Sequence, residues 1–198
     1  PLGGPERPPL LVVGAGPAGL EAARVAARLG LPVTLWEATA DVGGMARIMA
    51  RAPGHHRFAR LVEWLADDAT AHGAELITGR AATDADLAAW PGPMILATGG
   101  RPAPPGFEVE AGAVVLTPEA VLAADDAERA ELVPESVVIW DPLGGPIAVG
   151  VAEALAWTNG TNGPVRASAV QLVLPQRPTE AELKAYLDGK AAQVAGRI

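Results

Sequence analysis

The chain has 198 residues, of which 49% are hydrophobic and 19% are charged, so it can bury a core as one large or two small domains. It contains no cysteine, which excludes disulfides, thiolate-held iron–sulfur clusters and cysteine nucleophiles from this chain. The formal net charge of −8 argues against a broad basic surface for nucleic acid. An anionic ligand could still bind, because backbone N–H groups and helix dipoles hold phosphates without net positive charge.

The N-terminal residues give no targeting signal. Pro1–Gly4 lacks an initiator methionine and a signal-peptide pattern, and no apolar run reaches the roughly 18 residues of a membrane span. We therefore expect a cytoplasmic protein with no membrane and no nucleic-acid partner. We also expect the sequence to be a trimmed chain or a piece of a longer protein.

The first elements form a predicted βαβ unit. Leu10–Val13 is a continuous apolar run, which is typical of a strand buried on both faces of a parallel sheet. Apolar residues at helical spacing follow and end at Leu29 and Gly30, the usual helix stop. Pro32–Trp36 then predicts the second strand.

A glycine motif, Gly14-x-Gly16-x-x-Gly19, joins the first strand to the helix. In a dinucleotide-binding turn the first glycine permits the tight turn, the second admits a pyrophosphate, and the third lets the helix pack on the strand. Pro17 and Ala18 open the helix, whose N–H groups would face the phosphates. The alternative is that the glycines only mark a turn.

Glu37 lies at the tip of the second strand, 18 residues after Gly19. There we expect a surface carboxylate that accepts hydrogen bonds from an adenosine ribose and disfavours a 2′-phosphate. Gly43 and Gly44 form a second glycine pair, typical of FAD-binding two-dinucleotide folds, in a loop beside the cofactor. Arg47 would meet a phosphate or ribose, or would be a solvated surface arginine.

The middle of the chain continues the alternation of helices and strands. Thr83 with Asp86 predicts a shortened capping box, and Thr117 before a proline predicts another helix start. The acidic pair Asp125–Asp126 is interpreted as a solvated face. The other predicted elements here are a helical stripe over 58–69 and strands at 74–77 and 93–97.

Two further glycine turns follow predicted strands. Thr98 and Gly99 suit a return crossing near the pyrophosphate, or a plain strand-ending turn. Gly144 and Gly145 follow the strand 137–140 and would bind a nicotinamide dinucleotide or serve as a structural turn. No residue pattern identifies a catalytic side chain, and none indicates a metal site.

Several of these motifs together identify a family. They are Leu11–Glu37, Gly43-Gly44, Pro53-Gly54, Ala97-Thr98-Gly99, Val137–Asp141, Gly144-Gly145 and Val151–Glu153. Over residues 9–157 the chain resembles the C-terminal FAD/NAD(P)-binding part of the Old Yellow Enzyme-type 2,4-dienoyl-CoA reductase and trimethylamine dehydrogenase family.

The resemblance implies cofactors and a partner. It implies FAD, or ADP in its place, with NAD(P)H as a further ligand. In this family an N-terminal β/α barrel carries FMN and an iron–sulfur cluster, so these belong only to a missing barrel domain or subunit. The family's Gly-Asp motif at the flavin ribityl chain is not reached before Ile198.

The predicted fold class is α/β, a Rossmann-like doubly wound parallel sheet with a truncated second dinucleotide-binding unit. The repeated Asn-Gly of 158–163 predicts a linker. The predicted division is 9–135 as an FAD/ADP-binding Rossmann-like domain, 136–157 as the remnant of a nicotinamide unit, 158–163 as the linker, and 164–198 as a return segment to the flavin domain.

Three functions remain open from the sequence. The first is a fragment of a flavin-dependent NAD(P)H oxidoreductase that binds FAD and passes hydride equivalents towards an FMN-bearing barrel. The second is a non-catalytic ADP/FAD-binding module or docking subunit of a larger oxidoreductase. The third is a truncated or engineered domain with no ligand.

Overall fold

One or two helices separate each strand from the next along the described part of the chain. A computed structural model describes residues 7–102, 104, 107–134, 136–141, 146–156 and 169–173. The first elements are β1 (Leu10–Val13), α1 (Pro17–Arg28), β2 (Val33–Trp36), α2 (Gly44–Met49), α3 (Arg57–Ala71), β3 (Glu75–Ile77), α4 (Asp84–Ala89) and β4 (Met94–Leu96). The later elements are α5 (Pro118–Ala123), α6 (Asp126–Leu132), β5 (Ser136–Trp140), α7 (Pro146–Ala156) and β6 (Ala169–Val173). None of these described helices has the length and apolar character needed to cross a membrane.

The first sheet has the strand order β3-β2-β1-β4, and every pair in it is parallel. Each connection between parallel strands must cross over the sheet, which the helices accomplish. All four residues of β1 are buried because this strand is central. The predicted Rossmann-like parallel sheet is confirmed.

Elements cover both faces of this sheet. Leu10 and Val12 of β1 pack with Leu35 of β2 and with α1 and α3 on one face. The alternate β1 residues pack with Trp36 on the other face, against the segment that contains α4. Side chains of a strand alternate between faces, so the apolar run of β1 supplies both cores.

The second unit consists of β5, α7 and β6, with β5 and β6 paired in parallel. Val137 and Ile139 of β5 face a core that includes Val151 and Leu155 of α7. The predicted linker 158–163 and most of the return segment 164–198 lie outside the described residues.

Two short helices were not predicted. The interval that contains Gly44 was interpreted as a loop, but α2 forms there and packs against α3 and α5. The acidic pair Asp125–Asp126 is predicted to be a solvated face, and Asp125 is exposed as expected, but Asp125 also caps a helix that the sequence analysis does not predict. Its carboxylate accepts hydrogen bonds from the N–H groups of Ala127 and Glu128 and caps α6. An Asp-x-x-Glu capping box is the sequence signal that was overlooked.

The packing of α3 on the sheet gives the first testable prediction. Leu65 is 5% exposed in the core shared by α1, α3 and the sheet, whereas Leu61 on the same helix is 43% exposed. Leu65→Ala should lower the free energy of unfolding by about 2–5 kcal/mol, because it leaves a cavity. Leu61→Ala is the matched control and should cost less than about 1 kcal/mol. Equal urea midpoints for the two variants would contradict this packing.

Candidate dinucleotide-binding site

The glycine motif brings three backbone segments into contact. Gly14 has a φ of +99°, and its N–H donates to the Trp36 carbonyl at 2.7 Å. A Cβ atom at Gly14 would overlap the Ala97 carbonyl oxygen, and a Cβ at Gly19 would overlap the Gly14 carbonyl oxygen. Only residues without side chains let the end of β1, the start of α1 and the end of β4 meet in this way.

Gly16 lies at the N-terminus of α1 and faces open space. Its backbone is extended, with φ −70° and ψ 177°, and its carbonyl accepts the Leu20 N–H at 2.9 Å. A Cβ atom here would have no neighbour within 4 Å. Pro17 has no N–H, and the N–H groups of Ala18 and Gly19 belong to the first turn, where no helical carbonyl is available. The arrangement places the first-turn backbone donors of α1 beside the open space at Gly16.

The second glycine pair packs directly against the first motif. The Gly43 N–H donates to the Ala15 carbonyl at 2.7 Å. A Cβ atom at Gly44 would lie 3.3 Å from the Cα of Gly16. Gly43 has a φ of +112°, and a Cβ there would lie 2.9 Å from Val62 Cγ2. The pair is therefore held between the glycine motif and α3.

Arg47 lies on α2, one turn after the second glycine pair. Its guanidinium forms an ion pair with Asp41 at 3.3 Å, and both side chains are exposed. An exposed pair of this kind contributes little stability, so the arginine can exchange partners at small cost.

The turn after β4 lies next to Gly14 of the glycine motif. Thr98 is exposed, and its Cα lies 3.1 Å from the position that a Cβ of Gly14 would occupy. Gly99 follows it with a φ of +77°. The structure thus brings this turn against the glycine motif. Gly144 and Gly145 lie outside the described residues.

Glu37 is buried, unlike the surface carboxylate expected from its place at a strand end. Its Oε2 accepts a hydrogen bond from the Ala15 N–H at 2.7 Å. Its Oε1 accepts two, from the Thr39 N–H at 2.9 Å and the Thr39 hydroxyl at 2.8 Å. The carboxylate therefore joins the glycine motif to the turn after β2.

These hydrogen bonds determine the ionisation of Glu37. Burial by itself would raise the pKa of this carboxyl, because it disfavours the charged form. The hydrogen bonds from Thr39 and Ala15, with a weaker interaction from the Ala38 N–H, outweigh burial and hold the pKa below its ordinary value. Glu37 is a carboxylate at neutral pH.

Thr39 is a residue of the site that the sequence reasoning missed. The available signal was its position two residues after Glu37, since short polar side chains often bond to groups two residues away. The sequence does not show in which direction the chain turns after β2, because that direction depends on contacts with the segment that follows β3.

The segment after β3 fixes the turn that contains Thr39. The Gly79 N–H donates to the Thr39 carbonyl and the Arg80 N–H donates to the Glu37 carbonyl, both at 2.8 Å. The Arg80 guanidinium lies 3.7 Å from the ring centroid of Trp36, a close cation–π contact. These contacts keep the turn in place before any ligand arrives.

Comparison with known proteins places this site in a family. Residues 12–75, which contain the glycine motif, the second glycine pair and Glu37, match the NAD(P)-binding Rossmann-like domain family. A probable N-methylproline demethylase from Rhizobium meliloti is 32% identical over 178 residues, which is 89% of this chain and 24% of that protein. The chain belongs to the Old Yellow Enzyme, trimethylamine dehydrogenase and 2,4-dienoyl-CoA reductase group of oxidoreductases.

Two further oxidoreductases are similar to this chain. An N,N-dimethylglycine/sarcosine dehydrogenase from Chromohalobacter salexigens is 41% identical over 103 residues, covering 52% of this chain and 15% of that protein. The structure of histamine dehydrogenase from Rhizobium sp. 4-9 superposes with a TM-score of 0.77 at 25% identity, covering 97% of this chain and 29% of that one. The chain therefore spans less than a third of the length of these family members.

The hydrogen bonds of Glu37 predict a pH-dependent contribution to stability. Because folding lowers its pKa, Glu37 stabilises the folded state at neutral pH, and this stabilisation is lost as the pH falls through the folded-state pKa. At about pH 7, Glu37→Gln should lower the free energy of unfolding by roughly 1.5–3 kcal/mol, because an amide cannot accept all three hydrogen bonds. The difference from the parent should shrink when urea unfolding is repeated near pH 3.

The control for this prediction is Glu63→Gln, which removes an exposed carboxylate from α3. It should change stability by less than about 0.5 kcal/mol at both pH values. A difference for Glu37→Gln that stays constant with pH would show that its carboxylate does not hold the turn.

Proposed function

We propose that the chain is the FAD-binding part of a flavin-dependent NAD(P)H oxidoreductase whose intact form passes hydride equivalents towards an FMN-bearing barrel. The observation that carries this proposal is the contact of the second glycine pair with the glycine motif at Gly16, where a Cβ atom at Gly44 would lie 3.3 Å from the Gly16 Cα. Backbone without side chains on both sides lets a pyrophosphate approach closely.

The residues of the site fit an adenine dinucleotide. The open space at Gly16 would hold the pyrophosphate, with the N–H groups of Ala18 and Gly19 as donors. The dipole of α1 adds a favourable potential of roughly 0.3–1 kcal/mol for a negative charge. Glu37 would accept a hydrogen bond from the adenosine ribose. The net charge of −8 does not oppose this, because the donors are backbone groups.

Arg47 supplies the positive side chain nearest to the second glycine pair. We propose that it exchanges the exposed Asp41 carboxylate for a phosphate or ribose oxygen of the ligand. The turn at Thr98 and Gly99 would close the other side of the pyrophosphate.

The role of this chain's residues is binding and orientation. When bound, FAD supplies two-electron redox chemistry between a nicotinamide and a second flavin, so no side chain of the described site is nominated as catalytic. NAD(P)H binding at Gly144 and Gly145 stays a prediction.

A second candidate is a non-catalytic ADP/FAD-binding module or docking subunit. One observation favours it. The contacts described at Gly16 and Glu37 would all serve the adenosine and pyrophosphate half of a dinucleotide. A separate barrel domain or subunit would then carry the chemistry.

Ligand titration of the 198-residue chain tests the proposed function. We expect FAD to bind with a visible flavin spectrum and ADP to compete with it, because both share the same half-site. Gly16→Val should abolish both affinities, since its side chain would occupy the space of the pyrophosphate. It should leave the melting temperature nearly unchanged, because that space is open and the Gly16 backbone is extended.

Gly19→Val is the contrasting variant. Its side chain would overlap the Gly14 carbonyl, so this variant should lose the fold together with binding. Binding of ADP without FAD would favour the module over the oxidoreductase part. If neither ligand binds the parent chain, or if Gly16→Val binds as well as the parent, the site assignment is wrong.

A further inference from the structure

Helix α2 connects the glycine motif to the core of the second unit. A Cβ atom at Gly44, the first residue of α2, would lie 3.3 Å from the Gly16 Cα. At the other end of the helix, Met49 is 8% exposed and belongs to the hydrophobic core that contains Val151 and Leu155 of α7. The same short helix therefore borders the proposed pyrophosphate space and is anchored in the second unit.

The segment that follows α2 is held against the second unit as well. The Arg51 guanidinium donates a hydrogen bond to the carbonyl of Ala123, the last residue of α5. Ala52 is 3% exposed in the same core as Met49, and a Cβ atom at Gly150 of α7 would lie 3.2 Å from the Ala52 Cβ. Because α7 packs this closely, the position of the second unit constrains the end of α2.

The length of α2 makes its position depend on contacts at both ends. A helix of six residues is too short to be stable without tertiary packing. Its first end is joined to the glycine motif by the hydrogen bond from the Gly43 N–H to the Ala15 carbonyl, at 2.7 Å. Its side packs on α3, and its other end carries the buried Met49. Removing that buried side chain should therefore let the second glycine pair leave the glycine motif for part of the time.

We propose that Met49 is a positioning residue, through which the second unit holds the second glycine pair against Gly16. This inference rests on the proposed function, since ADP at the same site is the ligand whose affinity reports the position of the pair. A ligand that binds only when the pair is in place has an apparent dissociation constant that rises as the fraction in place falls. The affinity of the Gly16 site is therefore coupled to the packing of the second unit.

Titration calorimetry with ADP on the 198-residue chain tests this coupling. Met49→Ala should weaken ADP binding roughly 5- to 150-fold, which is the usual range for coupling between two sites. Met49→Leu keeps the volume of the anchor and should bind ADP within about threefold of the parent. A folded Met49→Ala variant with the ADP affinity of the parent would overturn the inference.

Leu87→Ala is the control for a general loss of packing. Leu87 of α4 is partly buried in the core that Trp36 forms on the other face of the sheet. Its truncation should leave the ADP affinity within about threefold of the parent, because distant sites act independently. Equal weakening by Leu87→Ala and Met49→Ala would show that the affinity follows overall stability, which contradicts the inference.

Gly150→Val provides a second test that does not depend on the folding of Met49→Ala. It removes no buried side chain, and valine has a higher helix propensity than glycine, so α7 should persist. Its side chain would press on Ala52 and displace the segment after α2. ADP binding should then weaken roughly fivefold or more. Where Met49→Ala does not fold, a folded Gly150→Val variant with the affinity of the parent would refute the coupling.

The amide of Gly43 gives a readout that needs no ligand. Its N–H exchanges with solvent when the hydrogen bond to Ala15 opens, so its exchange rate follows the fraction of time that the pair is away from the glycine motif. Without ADP, Met49→Ala should speed this exchange roughly fivefold or more, whereas Met49→Leu and Leu87→Ala should leave it unchanged. Unchanged exchange in a folded Met49→Ala variant would overturn the inference whatever its ADP affinity.

The two measurements distinguish the inference from the proposed function. If ADP fails to bind the parent chain, the proposed function fails, and the exchange of the Gly43 amide alone decides the role of Met49. If ADP binds the parent and Met49→Ala changes neither the affinity nor the exchange, the proposed function stands and only the positioning role is wrong.

Discussion

The contact between α1 and the carbonyl of Gly14 is the constraint on which the rest of the site depends. A Cβ atom at Gly19 would overlap that carbonyl oxygen, so α1 can approach β1 only because this position has no side chain. The close approach fixes where α1 begins and therefore where its first-turn N–H groups point. The pairing of β4 with β1 brings the end of β4 to the same place, where a Cβ at Gly14 would overlap the Ala97 carbonyl oxygen.

The second half of the site is organised by a buried charge. Glu37 is an ionised carboxylate in a buried position, which is costly unless its oxygens are hydrogen-bonded. The donors come from two different segments, Ala15 in the glycine motif and Thr39 in the turn after β2. The same group therefore stabilises the fold and is the group proposed to accept a ribose hydroxyl. Under that proposal, stability and recognition are coupled at Glu37, whereas Gly16 would serve recognition alone.

Local sequence patterns predicted the elements whose signals are local. The continuous apolar run of β1 and the capping box of Thr83 and Asp86 both appear in the structure as predicted. The short helix α2 did not follow from the sequence, because it begins after a glycine with a left-handed backbone and is held by packing on α3 and α5. The capping box of α6 is also a local signal, but the sequence analysis considers only the solvent exposure of its acids and not their position before a helix.

The sequence by itself determined the Rossmann-like fold, the positions of the glycine motif and the second glycine pair, and the acid at the end of β2. Each of these follows from the order and spacing of residues along the chain. Only the tertiary structure decided that Glu37 is buried, that Thr39 occupies one of its oxygens and that Gly44 lies against Gly16. The physical reason is that these contacts join segments through the sheet order β3-β2-β1-β4, and a hydrogen bond between two turns depends on how the strands that carry them are paired.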